Sequence, residues 1–134
     1  MIFNPKKSLG QNFLIDDKVL NKIIEVGNVN FKNIVIEVGP GNGALTSKIF
    51  EKKPKKLTVI EKDERLFQLL NKKFGSLINV INDDMMKISY EEYFEDNLII
   101  FGNLPYNIST QSLAKWIKIN NLEKFCKKLV LMFQ

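Results

Sequence analysis

The sequence predicts an α/β fold with a mainly parallel sheet, and three observations carry that reading. Five short runs of β-branched or apolar residues recur along the 134-residue chain. Helical patterns with apolar residues on one face lie between them, and a Gly-Pro-Gly-Asn-Gly turn directly follows the first run. Strands alternating with helices imply right-handed crossovers between parallel neighbours.

Taken in order, Asp16-Asp17 is suited to cap a helix that runs through about Val26, with Val19, Leu20, Ile23 and Ile24 on one face. Residues Ile34 to Val38 read as the first strand, Ala44 to Phe50 as the helix after the glycine turn, and Leu57 to Ile60 as the second strand. Glu64 to Phe74 is helical, Leu77 to Ile81 a third strand and Leu98 to Phe101 a fourth. A helix over Ser112 to Ile119 with Leu113, Trp116 and Ile117 as its apolar side leads to a fifth strand at Leu129 to Phe133. Each apolar run is suited to a strand buried on both faces. The acidic stretch Glu91 to Asp96 reads as a solvated helix face, because nothing supplies a converging ligand set for a metal. No metal site is expected.

Composition narrows the chemistry. With 45% hydrophobic residues the chain can bury one core and fits a single domain or part of one. No stretch approaches the roughly 20 apolar residues of a membrane span, and the start lacks the apolar region of a secretory signal. A lone cysteine, Cys126, has no internal disulfide partner, which suits a cytoplasmic location. There is no histidine, so imidazole bases and histidine metal sites are excluded. The net charge of +5 allows a polyanionic partner, and Arg65 is the only arginine among the 20 basic residues. Lysine point charges suit phosphate contact better than base reading.

Gly39, Gly41 and Gly43 form a turn where backbone can approach a ligand closely while a helix N-terminus offers free N–H groups. Gly39, Gly41 and Ala44 also satisfy the dinucleotide fingerprint, so the turn alone indicates a nucleotide or a relative of one. Glu61 ends the second strand, where a carboxylate can accept hydrogen bonds from both ribose hydroxyls. Asp84, preferred over Asp83, follows the third strand and can accept from an adenine amino group. Glu37, just before the glycine turn, can answer the positive charge of a cofactor bearing an amino acid or pair with a lysine.

Residues Gly102 to Tyr106, Gly-Asn-Leu-Pro-Tyr, follow the fourth run at the carboxyl end of a strand, where open α/β sheets bind ligands. An adenine exocyclic amine is a poor nucleophile because its lone pair is delocalised into the ring, so it needs polarising acceptors rather than a strong base. The Asn103 side-chain oxygen and the Leu104 backbone carbonyl can accept its two N–H bonds and stabilise the positive charge that develops there. Pro105 stiffens the turn. Tyr106 can stack on a flipped base, and its π face favours a nearby cationic methyl donor.

Five segments in this order resemble the small-subunit ribosomal RNA adenine dimethyltransferases of the kasugamycin-resistance type. They are Ser8 to Leu14 with Gln-Asn-Phe-Leu, Glu37 to Thr46, Val59-Ile60-Glu61, Asp84-Met85, and Gly102 to Thr110. The resemblance implies a Rossmann-like methyltransferase fold, S-adenosylmethionine as donor, and two neighbouring adenines in a small-subunit ribosomal RNA hairpin as substrate, each dimethylated on N6. Carried over by position, Asn12, Leu14, Gly39, Gly41, Glu61, Asp84 and Asn103 would contact the cofactor, and Asn103 would also face the target amine beside Leu104 and Tyr106, with Pro105 completing the catalytic turn. Residues 1–30 would form an arm and first helix, and residues 31–134 the Rossmann-like core. Members also need a partly assembled ribosomal subunit as substrate, and a monomer is expected.

Family members continue past Gln134 with a second aromatic-proline loop, two more strands and a helical RNA-binding domain. The chain is therefore expected to be an N-terminal portion, truncated after about the fifth strand, with weak RNA binding and slow or no turnover by itself. Three rivals stand beside this reading. A large-subunit ribosomal RNA adenine methyltransferase of the antibiotic-resistance type shares the architecture, but usually lacks the Gly-Pro-Gly and tends to carry Ile at the position of Leu104. A non-enzymatic nucleic-acid-binding relative is the second. A nicotinamide oxidoreductase, resting on the glycine turn alone, is the third.

Overall fold

The computed structural model describes residue 4, residues 16–105 and residues 107–133. Among the described residues, five strands form one parallel sheet in the order β3-β2-β1-β4-β5. The strands are β1 (Ile34–Val38), β2 (Lys56–Glu61), β3 (Asn79–Asn82), β4 (Leu98–Asn103) and β5 (Cys126–Met132). The helices are α1 (Asp17–Gly27), α2 (Ala44–Glu51), α3 (Glu64–Phe74), α4 (Ser109–Ile117) and the single turn α5 (Leu122–Phe125). The chain winds outward from β1 to β2 and β3, then crosses back to β4 and β5, so the order reverses between β1 and β4. That reversal is a topological switch point, the crevice where doubly wound sheets take ligands.

The period of two along the strands divides the core. Val35, Leu57, Val59, Ile99 and Phe101 face a cluster with Leu20, Ile23 and Ile24 of α1, Leu45 and Ile49 of α2, and Leu70 and Phe74 of α3. Ile34, Ile36, Val38, Ile60, Leu98 and Ile100 face the other side, against Tyr90, Trp116 of α4 and Leu122 of α5. Trp116 and Tyr90 are fully buried and meet edge to face, 5.9 Å between ring centroids. Asp16 caps α1 as expected, its carboxylate accepting from the Lys18 and Val19 amides at 2.8 and 3.2 Å; such a cap contributes about 1 kcal/mol.

Several expectations are corrected. Only β1 is buried along its whole length; β3 and β5 are sheet edges, and apart from the buried Val130 in β5 their residues are partly buried or exposed. Leu77 lies in a 3₁₀ turn (Gly75–Leu77) before β3 and is exposed, because the Gly75 break after α3 delays the strand. The fifth strand starts earlier, at Cys126, to pair with Leu98, and ends at Met132, with Phe133 half-exposed beyond it. Helix α4 likewise starts at Ser109 and stops at Ile117. Val19 and Ile117 are exposed rather than part of their helices' buried faces, and Ser112 is buried in α4 instead. The acidic stretch is a 3₁₀ turn (Tyr90–Tyr93) and the chain after it, not a helix. Among the described residues, no helix is long and apolar enough to cross a membrane.

Candidate functional site at the carboxyl edge of the sheet

Strand register places the candidate residues in one row. Ile60, Val38 and Gly102 are partners across β2, β1 and β4, so the next residues, Glu61, Gly39 and Asn103, lie side by side at the carboxyl edge. Asn82 of β3 pairs with Glu61, and Met132 of β5 with Asn103. Asp84 follows two residues after the end of β3.

The glycine turn is shaped by left-handed backbone at three positions: φ is +66° at Gly39, +58° at Gly41 and +82° at Gly43. A Cβ added to Gly39 would lie 3.3 Å from the Asn103 carbonyl oxygen, so the loops after β1 and β4 run in contact across the switch point. The Gly39 amide donates to the Ile60 carbonyl at 3.0 Å, and the Gly43 amide to Pro40 at 3.0 Å, which fixes the turn between β1 and α2.

Glu61 is held from both sides. Its Oε2 accepts from the Gly41 amide at 3.2 Å and its Oε1 from the Asp63 amide at 2.9 Å. A carboxylate has about four acceptor positions, so capacity remains for two hydroxyls. Burial raises the pKa of Glu61, against which the Asp63 and Gly41 amides act. The Asn82 side-chain amide donates to the Glu61 and Lys62 carbonyls at 2.9 and 3.3 Å, tying β3 to this corner. Neither Asn82 nor Asp63 is among the candidates that the sequence motifs single out. Asp63 was legible as the cap of the helix that starts at Glu64, and its carboxylate also grips Arg65 at 2.7 Å.

Asp84 is engaged as well. Its Oδ1 accepts from the Met86 amide at 2.9 Å and its Oδ2 from the Lys62 ammonium at 3.0 Å. Burial alone would raise its pKa, but the Met86 amide and the Lys62 and Lys87 charges outweigh it and hold the carboxyl below its ordinary value. Asp83 is exposed and accepts from the Asp84 amide at 2.6 Å, a turn contact. Among the described residues Glu37 pairs with no lysine; its Oε2 accepts from the Thr46 hydroxyl at 2.7 Å in a buried site below the glycine turn. Burial pushes its pKa up to about 7, with the Thr46 hydrogen bond pulling down and the nearby Glu61 charge pushing up.

The side chain of Leu104 is 1% exposed and belongs to the core, so only its backbone faces the loop, and its amide donates to the Met132 carbonyl at 3.4 Å. Pro105 is partly buried, and its carbonyl accepts from the Ile108 amide at 3.1 Å in the turn that enters α4. Asn12, Leu14 and Tyr106 lie outside the described residues. The arrangement gathers the remaining candidates, two glycines, two carboxylates and the Asn103 loop, along one edge. It fits a nucleoside-bearing cofactor: the left-handed Gly39 backbone leaves the turn open and without a side chain beside the Asn103 carbonyl, and the Gly41 and Asp63 amides orient Glu61 before any ligand arrives.

The model of the ribosomal RNA adenine dimethylase family matches residues 2–134. A ribosomal RNA small subunit methyltransferase A from Pelagibacter ubique is 52% identical over the whole of this chain and 51% of its own length. Its counterpart from a Wolbachia of Drosophila simulans is 42% identical over 99% of this chain and 49% of its own length. Among solved structures, a dimethyladenosine transferase from Plasmodium falciparum superposes with a TM-score of 0.78 at 30% identity, covering 92% of this chain and 43% of that one. The 23S rRNA methyltransferase ErmE gives a TM-score of 0.68 at 30% identity, over 78% of this chain and 42% of its own. The chain thus spans about half the length of the curated relatives it matches. With the family's model matched over almost every residue, the chain belongs to the ribosomal RNA adenine dimethylase family.

Proposed function

We propose that this chain carries the cofactor half of an S-adenosylmethionine-dependent enzyme that dimethylates N6 of two adjacent adenines in small-subunit ribosomal RNA. The observation that carries the reading is the contact of the Gly39 turn with the Asn103 backbone, because it sets the cofactor loop against the loop that would face the target amine. When bound, S-adenosylmethionine supplies an electrophilic methyl group on a sulfonium.

The chain's own residues then act by position and charge. Glu61 accepts from the ribose hydroxyls, Asp84 from the cofactor's adenine amine, and Gly39 and Gly41 leave room for it. Asn12 and Leu14 contact it from the N-terminal arm. The Asn103 side-chain oxygen and the Leu104 carbonyl accept from the target amine, favouring a pyramidal nitrogen, while Pro105 stiffens the loop and Tyr106 stacks on the base. No general base is required, in keeping with a chain that has no histidine.

The proposal extends to the organisation of the protein: residues 1–30 as arm and first helix, residues 31–134 as core, a cytoplasmic monomer, and a partly assembled subunit as substrate. The small-subunit assignment is supported over the large-subunit one by the names of relatives up to 52% identical, against 30% for ErmE. Calorimetry with S-adenosylmethionine and with NAD tests the cofactor; binding of NAD alone would overturn it. Mass mapping of methylated adenines on immature small subunits, using a protein of the relatives' length, tests the substrate. Modification confined to large-subunit RNA would favour the rival, and absence of any transfer the non-enzymatic relative.

A further inference from the structure

At the opposite, amino edge of the sheet, a rigid turn presents an aromatic ring to solvent. Phe31 is 72% exposed, the most exposed of the large hydrophobic residues described. Its turn is locked: the Asn30 amide donates to Asn33 Oδ1 at 2.7 Å, the Lys32 amide to Asn30 Oδ1 at 2.9 Å, and Asn33 Nδ2 to the Asn97 carbonyl at 3.2 Å. Asn33 itself is buried. A ring held out by a preorganised turn loses little entropy when it binds. The Lys32 ammonium lies 5.8 Å from the ring centroid.

Beside this turn runs Lys52-Lys53-Pro54-Lys55-Lys56, in which all four lysines are exposed. The Lys55 amide donates to the Asn33 carbonyl at 2.9 Å, so the basic run and the aromatic turn are joined. Glu95 pairs with Lys55 and Lys56 at 3.8 and 3.6 Å, but these groups are well exposed, and such pairs are weak enough for phosphate to displace. An exposed ring among lysines matches a nucleic acid strand, which offers a base to stack and phosphates on either side. The patch lies the length of β1, about 13 Å, from the glycine turn, so it is no part of the cofactor site.

We propose that Phe31 with Lys32, Lys53, Lys55 and Lys56 forms a second RNA-contact surface at the amino edge of the sheet, with an unpaired base on the ring and its flanking phosphates on the ammonium groups. It rests on RNA as the partner and not on the identity of the cofactor.

The test is fluorescence anisotropy of a labelled, unstructured oligouridine titrated with this chain across a range of salt concentrations. Phe31→Ala should weaken binding ~10-fold with the salt dependence preserved, and Phe31→Trp should retain affinity. Replacing Lys32, Lys53, Lys55 and Lys56 by Ala should lower the slope of log affinity against log salt by about 3. Thermal melts should be unchanged, since all these side chains are exposed. Affinity unaffected by Phe31→Ala, or an unaltered salt slope in the lysine variant, would overturn the proposal. So would a Phe31→Ala effect confined to self-association in sedimentation, which would give the patch to a protein partner. S-adenosylmethionine calorimetry on the unmodified chain reads separately: absence of cofactor binding defeats the methyltransferase reading while leaving this one to the RNA data.

Discussion

The Thr46 hydroxyl donates to the Glu37 carboxylate across 2.7 Å, with both side chains out of solvent. Burial outweighs the hydroxyl's hydrogen bond and pushes the pKa of the Glu37 carboxyl up to about 7 against an ordinary 4.5. Between those values the folded chain binds a proton that the unfolded chain has lost, so the proton favours folding. That contribution is complete below the unfolded value and fades as pH rises through 7, about 3 kcal/mol over the window. Glu37→Gln, which keeps an acceptor for Thr46 and has no charge to bury, should therefore gain on the parent chain between pH 5 and pH 8. Urea melts at the two pH values check this; parallel pH profiles would show that Glu37 titrates normally.

Gly39 combines φ of +66° with a neighbour, the Asn103 carbonyl, 3.3 Å from where a Cβ would stand. Gly39→Ala meets both obstacles. The left-handed conformation costs about 1–2 kcal/mol for an L-residue, and the methyl pushes apart the loops after β1 and β4. The expected outcome is a modest drop in the denaturation midpoint with a larger loss of S-adenosylmethionine affinity by calorimetry. Equal binding by the variant would mean that the contact does not shape the cofactor site.

Lys128 reaches from β5 to the end of α1, donating to the Val26 and Gly27 carbonyls at 3.0 and 3.2 Å. These carbonyls lie at the negative end of the helix and need donors from outside it. Lys128→Met, which keeps the aliphatic stem, should destabilise the chain by about 1 kcal/mol, and Lys127→Met should not. Denaturant titration of both variants compares them directly.

Much of this architecture was legible because both faces of the central strands are buried, which makes β1 and β4 nearly continuous apolar runs. The same rule failed at the edges, where β3 and β5 have one neighbour and their sequences mix lysine and asparagine with apolar residues. That Gly39, Glu61 and Asn103 would lie together at the carboxyl edge was legible from their positions at strand ends. Their supports were not: Asn82, Lys62 and Thr46 are ordinary polar residues until register brings them within hydrogen-bond distance. The pairing of Lys128 with α1 joins residues about 100 positions apart, a relation no local pattern encodes.

Asn103 ends β4 beside Met132 of β5, and the next amide, that of Leu104, is tied to the Met132 carbonyl. The loop is thus anchored to β5, with the Gly39 turn packed close beside it, before any substrate arrives. A fixed acceptor contributes most where charge develops in the transition state. In a protein of the relatives' length, Asn103→Ala should therefore lower kcat by about 10²–10³, with S-adenosylmethionine affinity changed much less. Single-turnover methylation of immature small subunits, set beside calorimetry of the cofactor, separates the two effects. Comparable losses in both would make Asn103 a residue that holds the cofactor rather than one that polarises the amine.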